Sequence, residues 1–220
     1  MTKKSAINSV SITSGSKVLE GNLSIPDKAS GIVLFVHGSG SSRFSPRNKY
    51  VAQTLQDGNI STLLFDLLTK EEEHEEMWSG HFRFDIKLLA DRLNDATKWI
   101  QENPSTKDLK IGYFGASTGA AAALVAAADN KNIKAIVSRG GRPDLANDAL
   151  FKVKAPTLLL VGEKDIEVIK LNKDAFENLK EVKDKKLIIV PKATHLFEEP
   201  GTLEEVSKLA LQWFSKFLYV

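Results

Sequence analysis

Ser117 lies in Gly115-Ala116-Ser117-Thr118-Gly119, where a short apolar strand, Leu109 to Phe114, runs directly into an alanine-rich helix. The G-x-S-x-G pattern arises by chance in many glycine- and serine-rich loops, and its strand–turn–helix setting is what makes it specific. A nucleophile on a strained turn leaves no room for side chains two positions either side, so both sites take glycine. The helix start also aims free backbone N–H groups and the positive end of its dipole at an oxyanion formed beside Ser117. A serine hydroxyl is a weak nucleophile near neutral pH and needs a base to take its proton. Among the four histidines, only His195, in Pro191-Lys-Ala-Thr-His-Leu-Phe197, follows the last apolar strand. Asp165, in Gly162-Glu-Lys-Asp165, follows the penultimate one and is a carboxylate able to fix the imidazole tautomer. Serine, acid and base in that arrangement point to acyl transfer. For the oxyanion, the expected donors are the N–H of Thr118 and that of Ser39, in the glycine-rich loop His37–Arg43.

The elements that must position these groups follow from hydrophobic patterning. Residues 5–26 read as two alternating strands, Ile7–Ile12 and Lys17–Ile25, turning at Ser14-Gly15-Ser16, an antiparallel hairpin at a sheet edge. Ile32–Val36, Ile60–Asp66, Leu109–Phe114, Ile133–Ser138, Pro156–Gly162 and Lys186–Val190 are mostly continuous apolar runs of the type covered on both faces. Helical stretches separate them: Asn48–Gln56, Phe84–Ile100, the helix after Ser117, Val168–Leu179, and a last one from Thr202, where Thr202-Leu-Glu-Glu205 reads as a capping box. Such alternation implies one α/β domain over residues 1–220, an eight-stranded, mostly parallel sheet with helices on both faces. Residues 67–82 break the rhythm. Their glutamate run at 71–76 reads as a solvated face, or else as a short flap with Trp78 and Phe82 as apolar contacts. Too little chain is left over for a cap.

Composition narrows the function. With 30 basic and 28 acidic residues, the net charge of +2 points to neither nucleic acid nor a membrane as partner. There is no cysteine, hence no disulfide, thiol nucleophile or Cys-based metal site. His74 and His81 fit no helical ligand pair, so no metal is expected, and both read as surface residues. The start Met1-Thr-Lys-Lys-Ser-Ala lacks an apolar leader core, and no run approaches a membrane span, so the expected compartment is the cytoplasm.

Over essentially its whole length the chain resembles the α/β-hydrolase superfamily, and within it the small, capless dienelactone hydrolase-related proteins. The resemblance rests on His37-Gly-Ser-Gly-Ser-Ser-Arg43, Phe65-Asp-Leu-Leu68, Gly115-Ala-Ser-Thr-Gly119, Gly162-Glu-Lys-Asp165 and Ala193-Thr-His-Leu-Phe197. The chain order Ser117, Asp165, His195 is the order of that fold. The resemblance implies hydrolysis of a carboxylic ester or similar acyl bond of a small molecule, without a cofactor. Dienelactone hydrolase proper uses a cysteine where this chain has Ser117, so its particular substrate does not carry over. A catalytically silent binding module and an acyltransferase using the same three residues are the competing readings. His37 reads as structural. Arg43 and Arg47 near the oxyanion loop, and Arg139 and Arg142 after another strand, are candidates for binding a substrate carboxylate or phosphate.

Overall fold

Patterning and structure agree on the strands. In the computed structural model, which describes residues 6–219, eight strands form one sheet in the order β1-β2-β4-β3-β5-β6-β7-β8. Residues 1–5, read above as lacking a leader, lie outside the described range. β1 (Ile7–Ser14) and β2 (Lys17–Ser24) make the edge hairpin, and β2 runs antiparallel to β4 (Ser61–Phe65). β3 (Gly31–Val36), β4, β5 (Lys110–Ala116), β6 (Ile133–Arg139), β7 (Thr157–Gly162) and β8 (Lys185–Val190) are mutually parallel. Every residue of β3, β4 and β7 is buried, which is why these strands are uninterrupted apolar runs rather than alternating ones.

Helices α1 (Pro46–Asp57) and α6 (Thr202–Leu218) cover one face of the sheet. On the other lie α3 (Ile86–Glu102), α4 (Thr118–Ala128), α5 (Ile166–Asn178) and a 3₁₀ segment, Pro143–Lys152. The strand order reverses at β3, with β4 on one side and β5 on the other, so the loops leaving β3 and β5 diverge to opposite faces. A crevice opens between their carboxyl ends, the usual ligand position in such sheets. Ser39 and Ser117 stand on its two sides.

Two expectations need correction. The break at 67–82 is not a solvated charge run: Lys70–Ser79 is a helix, α2, followed by a 3₁₀ turn at Phe82–Phe84. Thr69 and Glu72 form its capping box, and Glu72 and Glu76 are buried. Trp78 points to solvent, 83% exposed. Conversely, Thr202 is no capping residue. The chain enters α6 through Gly201 at φ 83°, Thr202 is already helical, and its hydroxyl donates back to the Glu199 carbonyl at 2.7 Å.

Candidate active site

Ser117 caps α4 with φ 50° and ψ −124°, backbone angles that cost a non-glycine residue on the order of 1–3 kcal/mol. The surroundings impose them. A Cβ at Gly115 would lie 2.4 Å from the Ala120 Cα, and one at Gly119 would lie 2.2 Å from the Val36 carbonyl oxygen. The Ser117 N–H donates to the Arg139 carbonyl at 3.3 Å, and its carbonyl accepts the Arg142 N–H at 3.0 Å. Alanine fills most of α4, and its small side chains let the helix lie close on the sheet behind the serine.

Two loops at neighbouring strand ends carry Asp165 and His195. They are tied by backbone hydrogen bonds, Glu163 N–H to the Val190 carbonyl at 3.0 Å and Lys164 N–H to the Ala193 carbonyl at 2.9 Å. The Glu163 carboxylate accepts the Lys192 N–H at 2.8 Å, and that of Glu199 accepts the Thr194 N–H at 3.1 Å. Within this frame His195 Nδ1 and Asp165 Oδ2 are 2.6 Å apart, the length of a charge-assisted bond. A carboxylate can only accept, so Nδ1 is the donor in that bond. A Cβ at Gly140 would be 3.5 Å from His195 Cε1, so the ring edge lies over the loop whose preceding carbonyl holds the Ser117 N–H. No hydrogen bond joins the serine hydroxyl to the ring, although the two lie on facing loops.

Across the crevice, a Cβ at Gly38 would lie 2.9 Å from the Ser117 Cβ, so the loop after β3 presses against the serine. The Ser39 N–H donates to Thr118 Oγ1 at 3.2 Å, and the two hydroxyls are 3.1 Å apart. The two expected oxyanion donors therefore belong to adjacent residues joined by a hydrogen bond. His37 holds the loop from below: its Nε2 accepts the Leu67 N–H and its Nδ1 faces the Gly38 carbonyl, both at 3.0 Å. Burial lowers its pKa, which keeps the ring neutral, as a structural role requires. A cavity of about 300 Å³ opens beside this loop, with Ser39, Ser41, Leu68, Glu73 and Met77 in its walls. A larger groove, about 790 Å³, lies at the opposite ends of the strands around Ile133 and Pro156, away from all of these groups.

Of the four arginines singled out, three meet carboxylates. Arg43 is clamped to Asp66 through both its backbone N–H and its guanidinium, Arg142 binds Asp144 in a fork at 2.9 and 2.7 Å, and Arg47 meets Glu198 at 3.0 Å. Arg139 meets none among the described residues and is 8% exposed. His74 and His81 are exposed. Arg92, absent from the sequence reading, is the main anchor of α2: it donates two bonds of 2.7 Å to the Glu72 carboxylate and a third to the Leu67 carbonyl. The Thr69-Lys-Glu-Glu72 capping signature was the available clue to that helix.

The eight-stranded, mostly parallel sheet, with a serine elbow after β5 and a histidine after β8, defines an α/β-hydrolase fold. Residues 20–219 match the model of the dienelactone hydrolase family, and the chain belongs to that family. A dienelactone hydrolase from Anabaena variabilis, solved as a crystal structure, is 56% identical and superposes with a TM-score of 0.94 over 98% of this chain and 100% of its own. An esterase of Pyrococcus furiosus shares the fold, with a TM-score of 0.78 at 18% identity over 97% of this chain and 94% of its own. Two Mycobacterium tuberculosis proteins, provisionally named phosphoribosyl transferases, are 56% identical over 93% of this chain. The match takes in only 45% of their length, so the chain spans about half of the curated relatives it matches.

Proposed function

We propose that the protein is a serine hydrolase that cleaves a carboxylic ester, thioester or lactone of a small molecule through an acyl-enzyme. The observation that carries this is the Asp165–His195 bond of 2.6 Å, held on welded loops beside a serine in a forced elbow conformation. In the proposed cycle His195 Nε2 takes the Ser117 proton as Oγ attacks the carbonyl carbon. The negative oxygen accepts the Thr118 N–H, and the Ser39 N–H exchanges Thr118 Oγ1 for it. The intermediate collapses as His195 returns the proton to the departing oxygen or sulfur, and water then repeats the sequence on the acyl-enzyme. An alcohol in place of that water would make the same chemistry an acyl transfer.

The family and the Anabaena relative support ester or lactone chemistry. The transferase name belongs to chains about twice as long, and the part they share with this one is the part carrying Ser117, Asp165 and His195. With only α2 and its following turn beside the crevice, short and water-soluble esters should turn over better than long-chain lipids. A fluorophosphonate probe should label the protein at Ser117. Ser117→Ala should abolish labelling and lower kcat on the order of 10⁶-fold with an unchanged melting temperature. A variant keeping a tenth of the parental rate would refute the assignment.

A further inference from the structure

Neighbouring rows of α2 put its acids to different uses. Glu72 and Glu76, one turn apart, are buried and matched: Arg92 holds the first, and the second accepts the Phe82 N–H at 2.6 Å and an Arg83 N–H. Glu73 and Met77, also one turn apart, stand on the next row and line the cavity of about 300 Å³. That cavity reaches Ser39, whose N–H is bonded to the Thr118 hydroxyl, and the preceding Gly38 presses on Ser117. Glu76 and Arg83 also touch the cavity, but they neutralise each other. Glu73 is half-buried, and its carboxylate forms no hydrogen bond and no ion pair among the described residues. Burial, and after it the charge of Asp66, outweigh the pull of Arg43 and Lys70 and raise its pKa above the ordinary 4.5.

A partly desolvated carboxylate with no cation beside it gains more from an arriving positive charge than one already paired. Leu68 and Met77 offer apolar contact in the same cavity, which is at the small end of ligand pockets. A metal ion is a poor match for a lone carboxylate beside alkyl and thioether groups, and no cluster of three metal-ligating acids or histidines exists among the described residues. A short alkylammonium suits every wall: its methylenes lie on Leu68 and Met77, and its N–H groups donate to Glu73. From this placement we propose that the cavity takes an ammonium-bearing part of the substrate, with Glu73 as counter-ion, and so selects cationic esters. The inference rests on the hydrolase reading for the word ester, but not for the ammonium site itself.

Two measurements test this on the full chain. In the first, esters are compared with uncharged isosteres in which a methyl replaces the ammonium: p-nitrophenyl 6-aminohexanoate against p-nitrophenyl heptanoate, and 5-aminopentyl acetate against hexyl acetate. The wild type should favour the charged member of at least one pair in kcat/KM. Glu73→Gln should shrink that ratio by about 3- to 30-fold, between a surface ion pair and a charge-assisted bond, and Glu73→Asp should restore part of it. Glu75→Gln removes the same charge from an exposed position of α2 and should leave the ratio within about twofold of the wild type. In the second, pentylammonium chloride and, separately, pentanol are added in thermal melts. Pentylammonium should raise the melting temperature relative to pentanol in the wild type and not in Glu73→Gln. If Glu73→Gln fails to fold, Met77→Lys replaces it in both measurements, since a cation one turn away occupies the carboxylate, with a smaller loss expected. Either signal, present in the wild type and lost in the variant, supports the assignment. Neither signal in the wild type, every signal surviving in the variant, or an equal loss in Glu75→Gln would overturn it. Stabilisation that depends on Glu73 in a protein that turns over no ester and takes no fluorophosphonate label would leave the ammonium site standing and remove the hydrolase reading. Ester turnover with neither signal would do the reverse.

Discussion

Arg92 and Arg139 are both buried arginines, 4% and 8% exposed, in opposite surroundings. Beneath α2, the Arg92 guanidinium is met by both oxygens of Glu72 and by a backbone carbonyl. At the carboxyl end of β6, Arg139 faces a second arginine and no acceptor among the described residues. Matched charge of the first type serves the fold: it fastens an amphipathically poor helix that little apolar surface would hold. Unmatched charge of the second type is costly to bury, and it occurs where a serine is also held in a strained conformation. The contrast separates charges that fasten an element in place from charges left unmatched at the carboxyl ends of the strands.

If that separation is right, changes at the carboxyl ends of the strands should move rates, and changes beneath α2 should move stability. The largest effect is expected at Asp165. Asp165→Asn should keep the melting temperature while lowering kcat about 10⁴-fold, because the imidazole then presents the wrong tautomer. Glu163→Gln and Glu167→Gln, measured alongside, should each cost less than about tenfold. Glu163 faces the Lys192 N–H, which glutamine can still cap, and Glu167 is exposed. Equal damage at either glutamate would reassign the acid.

Next in size, Arg92→Met should destabilise the protein by about 3–5 kcal/mol in urea unfolding, since Glu72 is left buried without its partner. The folded fraction should retain its kcat. Replacing both partners, Arg92→Met with Glu72→Met, should recover most of the loss, because an apolar pair of similar volume removes the stranded charge. A double variant no better than the single would mean that α2 depends on something other than this match.

The smallest effect is a pH dependence. Burial alone would raise the Glu72 pKa, but the hydrogen bonds from Arg92 and from the Thr69 N–H, with the Arg92 charge, outweigh it and hold the carboxyl below its ordinary value of 4.5. A lowered folded value means the contribution is complete above 4.5 and is lost as pH falls through the folded value. The wild type should therefore lose more urea resistance than the double variant between pH 5 and pH 3 (roughly the range of carboxylate titration). Parallel losses in the two proteins would remove Glu72 from the account.

Much of the site was legible because its requirements are local. A turn that forces φ 50° on Ser117 needs glycines at 115 and 119, and strands buried on both faces must be apolar throughout, so both leave a mark within a few consecutive residues. The chain order of Ser117, Asp165 and His195 then follows from counting strands. What the sequence could not sort was the role of like residues, because that depends on partners distant along the chain. Thr69-Lys-Glu-Glu72 and Thr202-Leu-Glu-Glu205 carry the same capping pattern. The first closes a capping box, whereas at the second Gly201 turns left-handed and brings the helix in one residue early. Arg43, Arg47, Arg139 and Arg142 were equivalent candidates by position. Asp66, Glu198 and Asp144 claim three of them, and Arg139, at the end of β6, is left buried beside another cation. The sequence by itself determined the sheet, the elbow and the residue types gathered at the candidate site. Tertiary structure alone decided which charges are neutralised, since pairing is settled by distances of a few ångströms between elements that hydrophobic periodicity cannot align.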